Sequence, residues 1–177
     1  MSKHDQRLFF ALRPDQEVRE QLAQLQRDCK QPGANAHRAE NLHMTLAFLG
    51  MVDEGRIETI CSMASRITEG GFRLRLDHTG YWRRPKILWC APSHTPQYLA
   101  SLVKQLWQGL EGCGFEQEQR EYRPHVTLMR KAAAVKPQQL KSQIIWPVSH
   151  FELMWSHHKD GALHYETLDR WVLIGSE

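Results

Sequence analysis

No stretch of these 177 residues is apolar for long enough to cross a bilayer, and the opening Met-Ser-Lys-His-Asp is not an apolar leader. Paired thiols are missing too. Cys29, Cys61, Cys90 and Cys113 stand far apart with no C-x-x-C among them, so neither a zinc ribbon nor a dithiol redox motif is expected. Cys61 and Cys90 fall within apolar patterns and read as buried thiols, which suits a reducing cytoplasm and no membrane partner. Neither sign of charge dominates. Lys and Arg number 23 against 20 Asp and Glu, a net of +3. Such a balance does not announce nucleic-acid binding by itself, although it does not oppose a phosphate-bearing ligand. The remaining composition, 41% apolar and 24% charged, is that of a globular domain with a sizeable core.

What the chain has is a repeat. His-x-Thr-Leu occurs as His43-Met44-Thr45-Leu46 and again as His125-Val126-Thr127-Leu128. Random placement of 10 His, 7 Thr and 20 Leu in this length gives about 0.04 copies. One copy reads as an ordinary strand with a satisfied histidine, but two copies are not accidental. Residues i and i+2 of a strand share a face, so each tetrapeptide aims one imidazole and one hydroxyl at the same place.

The surroundings repeat as well. Leu8 to Leu12 is a short apolar strand closed by Arg13-Pro14, and a helix is expected from about Pro14 to Cys29 on the stripe Val18, Leu22, Leu25. A loop over residues 31–40 leads to the strand from Leu42 to Leu49. In the second unit Ile87 to Ala91 is the strand, Pro96 to about Cys113 the helix, and His125 to Met129 the motif strand. Each unit reads strand, helix, motif strand. One domain spanning residues 1–177 is expected, with units at roughly 6–70 and 86–135. Two such lobes related by a pseudo-two-fold would bring the motif strands together across a cleft. Besides these elements we expect a helix over about 53–67, a strand over 72–76, a polar loop over 116–123, a hairpin of 151–155 with 162–167 about Lys159-Asp160-Gly161, and a final strand at 171–174.

Two opposed imidazoles suit phosphoryl chemistry that uses neither metal nor cofactor. One donates a proton to the leaving oxygen while the other takes one from the nucleophile, and ordinary imidazole pKa values lie where such pairs work best. The hydroxyls of Thr45 and Thr127 can donate to non-bridging phosphate oxygens. Arg130 ends the second motif strand. Strict alternation turns it away from His125, yet a turn at the strand end would let its guanidinium pair with phosphate.

With these residues in view, Glu40-Asn41-Leu42-His43-Met44-Thr45-Leu46-Ala47-Phe48-Leu49-Gly50 and Arg123-Pro124-His125-Val126-Thr127-Leu128-Met129-Arg130 resemble the paired signatures of the two-histidine phosphoesterases. The opening Arg7 to Pro14 is similar to the same group, in particular to its RNA 2′,3′-cyclic phosphodiesterases, also called 2′-5′ RNA ligases. The resemblance implies an α+β fold of two pseudo-symmetric lobes, each an antiparallel sheet with helices on its outer face, with the active-site cleft between them. It also implies hydrolysis of 2′,3′-cyclic phosphate ends to 2′-phosphates and reversible, ATP-independent 2′-5′ joining of RNA ends. It implies His43 as acid toward the 3′ oxygen, His125 as base toward water, and Thr45, Thr127 and Arg130 as phosphate contacts. Phe10 takes a base-stacking role, against its alternative place in the core. The partners expected are RNA ends or nucleoside 2′,3′-cyclic phosphates, tRNA fragments among them, met by a monomer.

Two further clusters carry less. His157-His158 with His164 and Glu152 match no zinc spacing and read as histidines exposed on a hairpin. Tyr81-Trp82 beside Arg83-Arg84-Pro85-Lys86 suits an RNA backbone and a stacked base as well as it suits a solvated loop. The rival readings are a module that grips RNA ends or cyclic nucleotides without turnover, and the same chemistry on ADP-ribose cyclic phosphate or 2′-5′ oligoadenylate.

Overall fold

A computed structural model describes residues 5–175; residues 1–4 and 176–177 of the expected domain lie outside that range. Nine strands and three α-helices follow in the order β1 (Asp5–Leu12), α1 (Gln16–Asp28), β2 (Asn35–Ala36), β3 (Met44–Asp53), α2 (Ile57–Ala64), β4 (Phe72–Trp82), β5 (Ile87–Ala91), α3 (Gln97–Gly112), β6 (Val126–Arg130), β7 (Gln138–Val148), β8 (His150–Lys159) and β9 (Ala162–Val172). All strands join one sheet in the order β7-β4-β5-β6-β3-β1-β8-β9, with β2 against β6. Every pairing between named strands is antiparallel. The centre of the sheet is its narrowest join, because β3 and β6 meet only at Met44 opposite Val126. That single bridge separates a half made of β3, β1, β8 and β9 from a half made of β6, β5, β4 and β7.

The two halves share one core. Leu8, Phe10 and Leu12 of β1 alternate into it and meet Leu22 of α1, Leu88 of β5, Leu106 of α3, Trp146 of β7 and Phe151 of β8. Burial of each such side chain contributes about 1.5–3 kcal/mol. α1 begins where Asp15 accepts a hydrogen bond from the Val18 N–H at 2.9 Å, an ordinary N-cap. α3 lays Leu99, Leu102, Val103, Leu106 and Leu110 on the core and ends at Cys113, after which Gly114 turns left-handed (φ +85°). On the opposite face of the sheet lies a small second cluster of Phe9, Ala11 and Met154 with Tyr165 against it.

Several elements differ from their expected bounds. The helix expected over 53–67 is shorter, because Asp53 accepts from the Gly55 N–H and opens a 3-10 turn at Glu54–Arg56 before α2 starts. β4 runs on past Leu76. A register shift between Leu76 and His78 breaks the alternation that the sequence displays, not the strand. β7 carried no strand signal, since only Ile144, Trp146 and Val148 alternate inward; it is an edge strand, which tolerates Pro147. β9 runs through Val172 and so takes in the first half of the separate final strand, while Ile174 forms an isolated bridge with Gly70. The hairpin turn falls as expected, with Asp160 and Gly161 both left-handed (φ +52° and +75°) between paired Lys159 and Ala162.

Candidate active site

Each motif histidine stands one residue before its strand, at the central bridge. Met44 and Val126, the bridging pair, point into the core with no exposed surface. Their neighbours His43, Thr45, His125 and Thr127 therefore share the opposite face. Continued one step either way, the antiparallel register sets His43 across from Thr127 and His125 across from Thr45. The constellation thus comes from the least connected point of the sheet.

The two imidazoles are held alike. Nδ1 of His43 lies 2.6 Å from the Asn41 carbonyl, and Nδ1 of His125 lies 2.8 Å from the Arg123 carbonyl. A carbonyl only accepts, so each Nδ1 carries the proton and each Nε2 is left to exchange one. His43 is boxed by aromatic rings, with Phe9 at 5.0 Å and Tyr165 edge-on at 4.9 Å between centroids. His125 has Trp82 edge-on at 4.5 Å. No protein partner takes up the hydroxyl of Thr45 or Thr127 among the described residues, while the Thr45 carbonyl accepts from the Tyr122 hydroxyl at 2.8 Å.

The motif strands also share a defect. Between Phe10 and Ala11 the β1–β3 register slips and leaves Leu46 extra; between Leu88 and Trp89 the β5–β6 register slips and leaves Leu128 extra. Both strands accordingly show buried, half-buried, buried, buried, exposed from their first residue. The bulge reverses the alternation after the motif. Met129 goes inward, and Arg130 comes round to the face of Thr127 despite its unfavourable parity. In the other half the equivalent position is Phe48, 45% exposed, with the Arg7 guanidinium 5.0 Å above its ring.

Burial dominates the electrostatics. It drives His43 down to about 4, helped by the positive charge of His37, His125 and Arg13 and opposed by the Asn41 hydrogen bond. His125 is lowered for the same reason, less far, with Arg130 and Arg120 adding to the effect. His37 falls to about 4 through burial and Arg130. Both motif imidazoles are neutral in the empty site near neutral pH. An anionic ligand beside them raises both values.

Of the residues singled out from sequence, His43, Thr45, His125, Thr127 and Arg130 come together here. Phe10 does not. It is 0% exposed and packs against the stacked rings of Phe151 (6.1 Å) and Trp171 (5.8 Å), so base stacking is corrected to a core role. Its neighbour Phe9 faces the site. Parity along β1 carried that signal, since Phe10 aligns with apolar Leu8 and Leu12, and Phe9 with Arg7 and Ala11. Sequence reasoning also passed over Tyr165, Trp89 and His37. His37 sits on the segment bridging to β6, its N–H donating to the Leu128 carbonyl at 3.0 Å and its ring 6.5 Å from Tyr165. Only the register of β2 brings it in. The hairpin histidines lie elsewhere: His157 stacks on Trp155 (4.2 Å) and His164 (5.9 Å), and its Nε2 is 3.4 Å from Glu166. Residues Arg83–Lys86 form the β4–β5 turn, next to the Trp82 that contacts His125.

Paired imidazoles with free Nε2 atoms and two free hydroxyls at one bulged strand crossing define a two-histidine phosphoesterase site. The chain matches the 2′-5′ RNA ligase superfamily over residues 14–160 and belongs to it. It is 35% identical to the RNA 2′,3′-cyclic phosphodiesterase of Escherichia coli K12, covering 95% of this chain and 97% of that one. The Methanocaldococcus jannaschii enzyme of the same name is 27% identical over 93% and 99%. Among solved structures, Escherichia coli LigT in complex with 3′-AMP superposes with a TM-score of 0.90 at 34% identity, covering 97% of this chain and 99% of that one.

Proposed function

We infer that this protein is an RNA 2′,3′-cyclic phosphodiesterase that opens cyclic phosphate ends to 2′-phosphates by two-histidine acid/base catalysis. The observation that carries this reading is the matched pair of Nδ1–H imidazoles at the Met44–Val126 bridge. Water attacks phosphorus as the P–O3′ bond breaks. Neutral His125 takes the water proton on Nε2, and protonated His43 gives its proton to the departing O3′. The charge that builds on the phosphoryl oxygens is met by the Thr45 and Thr127 hydroxyls and by the Arg130 guanidinium. The same steps with a 5′ hydroxyl in place of water join ends through a 2′-5′ linkage without ATP, and their reversal, with O3′ attacking and the 5′ hydroxyl leaving, cleaves that linkage. Since His43 is neutral in the empty site, its proton arrives with the anionic substrate. RNA ends, tRNA fragments among them, are the substrate class, handled by a cytoplasmic monomer without metal or cofactor.

Phosphorus NMR of the product from a nucleoside 2′,3′-cyclic phosphate tests the reading. A 2′-phosphate supports it; a 3′-phosphate rejects the orientation, and no turnover favours a binding module. ADP-ribose cyclic phosphate and 2′-5′ oligoadenylate in the same panel separate the substrate alternatives. One observation favours the reverse roles: burial drives His43 down to about 4, so His125 is the imidazole that more readily carries a proton near neutral pH. A substrate with sulfur as the bridging 3′ atom decides, because a thiolate leaves without an acid. Rescue of His43→Ala keeps His43 as acid, and rescue of His125→Ala exchanges the two.

A further inference from the structure

His43 has a neighbour that His125 lacks. Arg13 follows β1, just beyond Leu12, which pairs with Met44. Its Nη2 donates to the Glu40 carbonyl at 3.2 Å, within the 3-10 turn Ala39–Asn41. The next carbonyl in that turn, Asn41, holds the His43 Nδ1–H, and the Asn41 side chain is anchored to the Leu163 carbonyl of β9 at 2.9 Å. The other arm, Nη1, donates to the Thr167 hydroxyl at 3.0 Å and lies 4.0 Å from Glu152. Thr167 donates to Glu152 at 2.7 Å.

Glu152 is the only acidic residue among the described residues with no exposed surface. A carboxylate so buried is costly unless it is fully engaged. Besides Thr167 and Arg13 it is met by Arg170 at 2.8 and 3.0 Å and by His150 at 3.4 Å. Against the effect of burial, hydrogen bonds from His150 and Thr167 and the charge and hydrogen bond of Arg170 hold it down to about 2. At the matching place in the other half, the pair Ala11–Glu152 is replaced by Trp89–Gly80, and Arg13 by Ala91.

We propose that Arg13, braced by Thr167 and Glu152, is a positioning residue for His43: it fixes the turn whose carbonyl orients the imidazole and sets a positive charge beside that imidazole alone. The inference rests on His43 being one of the two proton-transfer groups. The charge belongs to a set that faces His43 from every side, namely Arg13, His37 and His125, with the rings of Phe9 and Tyr165 closing the box. A bidentate guanidinium can brace two oxygens at once, whereas an ammonium supplies the charge without that planar fork.

Histidine-selective 15N NMR titration of the whole chain, read beside kinetics, tests this. In Arg13→Gln the His43 titration moves to higher pH, because a like charge is gone, while that of His125 stays; kcat falls about 10- to 100-fold through misplacement of the imidazole. In Arg13→Lys the His43 titration stays near wild type and kcat still falls. Thr167→Val, which cuts the brace but keeps both charges, lowers kcat without moving KM, and it guards against misfolding in the charge variants. The proposal is overturned if His43 titrates unchanged in Arg13→Gln, if His125 moves as much, or if Thr167→Val has wild-type kcat. The titration needs no turnover, so it remains readable if the hydrolase reading fails.

Discussion

The two halves of the sheet carry the same motif on the same bulged strand and fill the space behind it in opposite ways. Behind His43, Ala11 stands opposite a buried glutamate that is braced by arginines and a threonine. Behind His125, Trp89 stands opposite Gly80, and a Cβ at Gly80 would lie 2.3 Å from the indole. The indole N–H of Trp89 is buried with no acceptor among the described residues. One histidine is thus backed by an ion network and the other by aromatic packing. Backbone symmetry makes the two imidazoles equivalent in reach; the side chains behind them make them unequal in charge preference. Pairs of titratable groups whose surroundings separate them are those that divide acid and base roles.

The largest expected effect tests whether the halves are both required. His43→Ala and His125→Ala should each lower turnover of a 2′,3′-cyclic nucleotide by ~10²–10⁴-fold, the usual cost of a lost general acid or base. Product affinity should change much less. A single variant with near wild-type kcat would reduce the pair to one working histidine. Next comes the position after the bulge. Arg130→Ala should cost about 10- to 100-fold in kcat/KM, the worth of a charged hydrogen bond to phosphate. Phe48→Ala, its counterpart, should cost only a few-fold, as expected of a neutral exposed ring. Equal losses would mean that the bulge does not assign Arg130 to the phosphate.

Much of this site was legible in the sequence because its signal is local. Two tetrapeptides at period two fix which side chains share a face, and an apolar strand before an amphipathic helix repeats around each. What the sequence hid depends on partners across strands. The bulges at Leu46 and Leu128 exist only as register slips against β1 and β5, so Arg130 looked wrongly aimed. Phe10 was given the role of Phe9, although parity with Leu8 and Leu12 marked it as core. Arg13, Glu152 and Thr167 lie far apart in sequence, and nothing local announces that they meet. β7 escaped notice because half of it is polar and an edge strand need bury little.

Packing behind the second histidine gives a smaller effect. Gly80→Ala must displace the Trp89 ring, so it should destabilise by ~1–3 kcal/mol, the usual cost of overpacking, with a change in tryptophan fluorescence. Ala11→Gly in the first half meets no such ring and should cost no more than about 1 kcal/mol. Urea unfolding of both variants checks this. A tolerated Gly80→Ala would show that the indole is loosely held and that the halves are less different than their contacts suggest.

Acid stability provides the subtlest contrast. An unfolded imidazole titrates near its ordinary value of about 6.5, whereas folded His43 is held at about 4 by burial. Between those values the unfolded chain binds a proton that the native chain refuses. Stability is therefore full above pH 6.5 and declines as pH falls toward 4, where native His43 also protonates and the loss is complete. His37 follows the same course over the same window. Glu152 acts lower: its carboxyl is depressed from 4.5 to about 2, so its contribution is full above 4.5 and fades toward 2. Urea midpoints measured from pH 7 to 3 should fall in two overlapping stages. His43→Asn should flatten the first stage, His125→Asn should flatten it less, and neither should touch the second. If the two asparagine variants flatten the first stage equally, the halves hold their histidines alike, and the division of labour must come from the substrate and not from the protein.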